Sequence, residues 1–228
     1  MKFALYLVAF VVAALLLPFL IPGAGKQEGV DHNANLPWQI ALDGQGGSKV
    51  FGLQPGASSL GDARRVFGGD VQVAIIAKPD EVGTLEAYFN QVPLGFVLAR
   101  VIVTVEADEA KVTALRERAL KAEHMESTTR KITLHPDDLA AVESMPVRAI
   151  SVIPTVNLDE ATLLQRFGQP GERLVVSEKR VHLLYPDKGL DIVVDGDGKE
   201  LLQYVAPRNF AWLREPLRNA VVEKEAGK

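Results

Sequence analysis

The chain has 228 residues, 47% hydrophobic, 24% charged and 7% aromatic, with a formal net charge of −4 and no cysteine. That balance belongs to a packed globular protein of one large domain or two small ones. A chain without cysteine has no disulfide, no lipid-modified thiol, no thiolate metal ligand and no cysteine nucleophile, and mild acidity without a basic run argues against nucleic acid as a partner.

Phe3 to Ile21 runs without a charged side chain. At about 1.5 Å per residue a helix of that length just crosses the roughly 30 Å hydrocarbon core of a bilayer. Two readings are open, a secretory signal peptide that is removed and a signal anchor that stays. The run exceeds the usual apolar core of a signal peptide, about 7 to 15 residues, and Pro22-Gly23-Ala24-Gly25 is a poor cleavage site. Residues 1–25 are therefore predicted to be a retained transmembrane helix. Lys2 precedes the segment, which places the amino terminus in the cytoplasm. The rest then lies across the inner membrane, in a bacterium the periplasm, or is secreted there if the segment is cleaved. The polar composition after Pro22 reads as a flexible tether, residues 26–36.

A first α+β unit is predicted over residues 37–106. Trp38, Ile40 and Leu42 alternate before the Gly44 to Gly47 turn, and Val50 to Leu53 return, which is a hairpin pattern. Ser59 and Asp62 have the spacing of a capping box ahead of a helix whose Ala63, Val66 and Phe67 form an apolar stripe, with Gly68 placed to end it in a left-handed conformation. Strands follow over Val71 to Ala77, Thr84 to Phe89 and Phe96 to Val105, with Lys78 to Gly83 as a loop.

Residues 107–145 read as a helical insertion. Val112, Leu115, Ala119, Ala122 and Met125 fall at helical spacing, predicting one helix from Asp108 to Glu126, and Arg116, Arg118, Lys121 and Glu123 give it a charged face. A shorter helix is predicted from Pro136 to Glu143, with proline in the first turn and Asp137 and Asp138 near its positive end.

The second α+β unit, residues 146–228, repeats the first. After a strand over Val147 to Ile153, Asn157 and Glu160 offer a capping pair, Leu163, Leu164 and Phe167 form the stripe, and Gly168 ends the helix. Ala74-Ile75-Ile76 and Leu174-Val175-Val176 then keep the same register behind their Phe-Gly pairs. Arg173 to Ser177, Val181 to Tyr185, Leu190 to Val194 and Glu200 to Val205 predict an antiparallel meander, and Asn209 to Leu217 a last helix presenting Phe210, Leu213 and Leu217.

The second copy, with Leu163, Phe167, Gly168 and Pro170 followed by Tyr185, Gly189, Leu190 and Asp197-Gly198-Lys199, resembles the SmpA/OmlA (BamE-like) lipoprotein family, whose fold is shared with the β-lactamase-inhibitor proteins. The resemblance covers about 50 residues of this copy, with a weaker echo in the first, and implies a non-enzymatic protein-binding fold. The chain departs from it in lacking the lipid-modified cysteine and in carrying two units.

Catalytic and metal-binding patterns are sparse. The four histidines, His32, His124, His135 and His182, have no metal-ligand spacing. Asp195-Gly-Asp-Gly-Lys-Glu200 lacks the later ligands of a calcium loop and reads as a hairpin with glycines at positive φ. Gly56-Ala-Ser-Ser-Leu-Gly61 misses the spacing of a nucleophile elbow, and Gly44 to Gly47 lacks the Lys-Ser/Thr ending of a phosphate loop. No catalytic, cofactor-binding or metal-binding residue is assigned. The expectation is a membrane-anchored periplasmic α+β protein, held by Phe3 to Ile21, that binds another envelope protein without catalysis. The alternatives are an envelope hydrolase, with a pocket of two acids or an acid and His182, and a carrier of a lipid or small apolar ligand.

Overall fold

Every strand that the alternation predicts after residue 70 joins one antiparallel sheet. The computed structural model describes residues 35–125 and 128–226. The predicted anchor and the tether through residue 34 lie outside them, and among the described residues no helix is long and apolar enough to cross a membrane.

In chain order the elements are β1 (Ala41–Leu42), β2 (Ser48–Lys49), α1 (Leu60–Phe67), β3 (Val71–Ala77), β4 (Thr84–Leu94), β5 (Val97–Val105), α2 (Glu109–Glu117), β6 (Lys121–His124), β7 (Arg130–Thr133) and α3 (Pro136–Glu143). They continue with β8 (Val147–Pro154), α4 (Glu160–Phe167), β9 (Glu172–Val175), β10 (Arg180–Tyr185), β11 (Leu190–Asp195), β12 (Leu201–Val205) and α5 (Ala211–Ala226). β1 and β2 form a separate hairpin, and the ten remaining strands lie in the order β6-β7-β3-β4-β5-β8-β12-β11-β10-β9. The β3-β4-β5 and β9-β10-β11-β12 meanders both run from the outer side of the sheet inward, and β5 joins β8 at the middle. The two sequence units thus share one sheet and one core.

Alternation along the strands sends one set of side chains into that core. Leu85, Ala87 and Phe89 of β4, Val101 and Val103 of β5, Ile150 and Val152 of β8 and Leu202 and Tyr204 of β12 are buried there with Leu60, Ala63 and Phe67 of α1 and Leu163 and Phe167 of α4. Each such aromatic or branched side chain contributes roughly 1.5–3 kcal/mol of apolar transfer. Val50 and Leu53 pair across a tight turn in which Phe51 adopts φ 55°. Its ring stacks edge-on against Tyr204 at 5.4 Å and Phe67 at 6.0 Å, contacts that offset the strained backbone. The buried Tyr204 hydroxyl donates to the carbonyl of Pro37 at 2.9 Å.

The helix starts follow side-chain acceptors. Ser59 and Asp62 form the predicted capping box on α1. On α4 the cap is Asp159, whose carboxylate accepts from the Thr162 amide at 2.7 Å. Asn157 is instead drawn to the Lys199 ammonium, two residues too early to reach the first turn. Gly68 and Gly168 close their helices with φ 107° and 82°, values that favour glycine, but their ψ of 164° and −172° is extended and not left-handed helical.

The predicted Asp108–Glu126 helix is corrected. α2 stops at Glu117, and Lys121–His124 form an edge strand whose partner β7 pairs with β3 through Ile75 and Ile132. Val112, Leu115 and Ile132 are buried, whereas Ala122 and Met125 are exposed, so the second half of the helical stripe has nothing to pack against and the free edge of β3 captures the chain as a hairpin. Residues 107–145 are accordingly helix, hairpin and helix. The last helix runs on to Ala226, well past the predicted Leu217.

Candidate functional site

Directly paired residues point to the same face of a sheet. One unbroken row of such pairs crosses eight strands: Gln72 to Tyr88, Tyr88 to Ile102, Ile102 to Ser151, Ser151 to Gln203, Gln203 to Asp191, Asp191 to Leu184, and Leu184 to Glu172. These side chains belong to the face opposite the main core. The two ends of the row have different surroundings.

At the second-repeat end α5 covers the face. Phe210 packs with Leu184 and Val205, and Leu213 and Leu217 extend the contact beside Leu174 and Ala149. Arg214 of α5 is paired with Glu172 at 2.6 Å, and Trp212 stacks under the Arg148 guanidinium at 4.2 Å. Alternation in β10 places Leu183 in the main core and Leu184 under α5, so β10 buries an apolar side chain on each face.

At the first-repeat end the same face forms an open groove of about 330 Å³. Ala74 and Ile76 of β3, Tyr88 of β4 and Ile102 of β5 make its apolar floor; Met125 and Lys131, from the β6–β7 hairpin, and Gln72 make its rim. Lys131 Nζ donates to Gln72 Oε1 at 2.9 Å. Glu86 is the carboxylate of this floor. Burial pushes its carboxyl above the ordinary range, against the hydrogen bond that Thr84 Oγ1 donates at 2.8 Å. Beyond Ile76 and Glu86 the groove continues into a wider depression of about 630 Å³ that adds Asp80, Glu81 and Glu109 together with Lys78, whose ammonium lies 3.8 Å from Glu81. The arrangement is an apolar floor with one half-desolvated acid and a continuation that is richer in acids than in cations.

The residues that drew attention in the sequence lie elsewhere. His182 and Asp191 are only 6% and 1% exposed, and His182 Nδ1 lies 2.8 Å from Asp191 Oδ2. Burial raises the Asp191 carboxyl while the hydrogen bond and charge of His182 pull it down, and its Oδ1 has no hydrogen-bond partner among the described residues. His182 therefore sits within the sheet layer beside an acid, without an open approach to either group. His135 caps α3, its Nδ1 accepting from the Asp137 amide at 3.3 Å; His124 lies on the exposed β6; His32 is outside the described residues. No group of three or more His, Asp or Glu side chains able to hold a metal occurs among the described residues.

In the Asp195–Glu200 turn Asp195 is paired with Arg180 at 2.8 Å and Asp197 with Lys179 at 2.7 Å, while the buried Glu200 accepts from the Leu158 amide at 3.0 Å. Asp195 Oδ1 also accepts from the Asp197 amide, closing the turn, and neither Gly196 nor Gly198 uses the positive φ predicted for it. The charged face expected at Arg116, Arg118, Lys121 and Glu123 is dispersed. Arg116 donates to the carbonyls of Glu81 and Val82, Arg118 pairs with the buried Asp138, and Lys121 and Glu123 pair on β6. The groove residues carried one signal that sequence reasoning passed over: β4 and β5 place Tyr88 and Ile102 on the face that a half-covered sheet gives to polar residues.

Fold and groove together define an α+β protein with a ten-stranded antiparallel sheet, a helical layer on one face and a half-covered opposite face. Comparison with family models, with curated proteins and with solved structures finds no match.

Proposed function

We propose that the protein is a non-catalytic binding or scaffold protein, anchored in the inner membrane by Phe3 to Ile21, that engages another cell-envelope protein in the periplasm through the open half of its sheet. The observation that carries this reading is the contrast along one row of paired residues, which ends beneath α5 at Leu184 and in an open apolar groove at Tyr88. The face opposite the main core carries an apolar cluster at each end of a row that is otherwise largely polar; α5 covers one cluster, and an uncovered apolar stretch marks an interaction site. The resemblance of the second repeat to the SmpA/OmlA lipoproteins and to the inhibitor fold agrees with protein binding, and the anchoring segment takes the place of their lipid.

Full-length tagged protein purified from crosslinked membranes tests this. A partner recovered with the wild-type chain and lost with Ile102→Arg supports the proposal; recovery unchanged by Ile102→Arg, or no partner at all, contradicts it. Sequencing the amino terminus of the same sample decides between anchor and cleaved signal.

A further inference from the structure

The open groove and the seat of α5 are the same place in the two repeats. Ala74 pairs with Glu86 as Leu174 pairs with His182; Gln72 pairs with Tyr88 as Glu172 pairs with Leu184; and Tyr88 pairs with Ile102 as Leu184 pairs with Asp191. The helices before these strands correspond as well, since Phe67 and Phe167 both end an eight-residue helix that packs on the opposite face. Two floor positions of the groove, Ala74 and Tyr88, thus have their counterparts, Leu174 and Leu184, under α5.

We infer that the open groove of the first repeat receives an amphipathic helix from the partner protein, seated on β3 and β4 as α5 is seated on β9 and β10, and bordered by Ile102 of β5. The inference rests on the binding role proposed above and specifies the chemistry of the bound segment. α5 supplies the template: apolar side chains at i, i+3 and i+7, namely Phe210, Leu213 and Leu217, with a cation at i+4, Arg214, that meets an acid of the sheet. In the groove the acid has moved. Gln72 stands where Glu172 stands and is held by Lys131, while the carboxylate is Glu86, two positions along the neighbouring strand from Tyr88. The partner helix therefore turns a Lys or Arg toward Glu86 and the acidic depression beside it, where a docking cation restores the charge that desolvation disfavours. The groove is also continuous with the α5 interface through Ser151 and Gln203, so the bound helix lies on the same sheet surface.

Selection of a displayed library of 16-residue helical peptides on the full-length protein in detergent tests the inference. The expected binders carry an apolar i, i+3, i+7 stripe and a Lys or Arg beside it. They lose at least tenfold in affinity with Ile102→Arg and with Glu86→Lys, and keep it with Phe210→Ala, which loosens α5. Thermal unfolding of each variant separates loss of the site from loss of the fold, and the rim change Lys131→Glu at a half-buried position, which adds negative charge for a basic helix, is expected to strengthen binding. Selection of no peptide, of peptides without the stripe and cation, or of peptides that ignore Ile102→Arg and bind more tightly once α5 is loosened, overturns it. If crosslinking recovers a partner that contacts the groove through an extended segment or a loop, the binding role stands and the helix does not.

Discussion

Tyr88 and Leu184 occupy equivalent positions in the two meanders, on one face of one sheet, and differ in what lies above them: α5 buries Leu184 completely, whereas Tyr88 opens onto a groove. The difference is tertiary, because among the described residues α5 lies over the second meander and no helix lies over the first, so one meander is covered on this face and the other is not.

If α5 is the cover of its half, truncating its main anchor uncovers that half. Phe210→Ala is expected to cost about 3–5 kcal/mol. Hydrogen exchange should show the loss concentrated in α5 and the strands beneath it, with β3 to β5 little changed. Equal loosening of β3–β5 would mean that α5 stabilises the whole sheet and not one seat.

The His182–Asp191 pair is buried and incompletely satisfied. Removing one partner with His182→Leu leaves an acid alone in an apolar layer and should destabilise by about 3–5 kcal/mol, while the double change to leucine at both positions should recover most of that loss. Chemical denaturation of the three variants measures this. If the pair served catalysis, its loss would abolish an activity without such compensation in stability.

Glu86 has the opposite sign from a structural carboxylate. Its folded-state carboxyl is raised by burial, so the free protein gains stability as pH falls and loses it as pH rises through that raised value. Glu86→Gln should therefore raise the unfolding midpoint of the free protein near neutral pH while weakening binding of a basic partner. A lower midpoint would show that the carboxylate is held for stability.

The exposed acids at the turns and caps have the ordinary sign. Asp62 and Asp159, lowered chiefly by hydrogen bonds from Ser59 and Thr162, and Asp195, lowered chiefly by the hydrogen bond from Arg180, stabilise the fold above the unfolded aspartate value of about 3.9, and that contribution is lost as pH falls through their folded values. Acid unfolding followed by circular dichroism should steepen below about pH 4, and the triple Asp→Asn variant should flatten that limb. A limb unchanged by the three substitutions would assign acid sensitivity to other groups.

Local chemistry made the repeats legible. Both helices before the meanders were readable from an apolar stripe and a closing Phe-Gly pair, and the structure gives Leu60–Phe67 and Glu160–Phe167; the acceptor was read correctly at Ser59 but misplaced at Asn157, where Asp159 is the cap. The strands were readable from alternation and turn residues. What a sequence cannot display is which neighbour an element meets. The stripe from Val112 to Met125 has helical spacing, yet the chain beyond Glu117 finds the edge of β3 and pairs there. Nor does spacing reveal that Leu174 and Leu184 lie under a helix while Ala74 and Tyr88 do not, since that depends on where α5 turns back over the sheet. The candidate site was invisible for that reason: its residues are ordinary strand residues, made distinctive by having no helix over them among the described residues.

The most direct measurement places a photocrosslinking phenylalanine analogue at Tyr88 in the full-length protein in membranes and, in a second variant, at Arg65 on the exposed side of α1. A discrete crosslinked partner from Tyr88 that is absent from Arg65 is the predicted result. Equal yields from both positions, or none from Tyr88, would contradict a docking surface on the open half of the sheet.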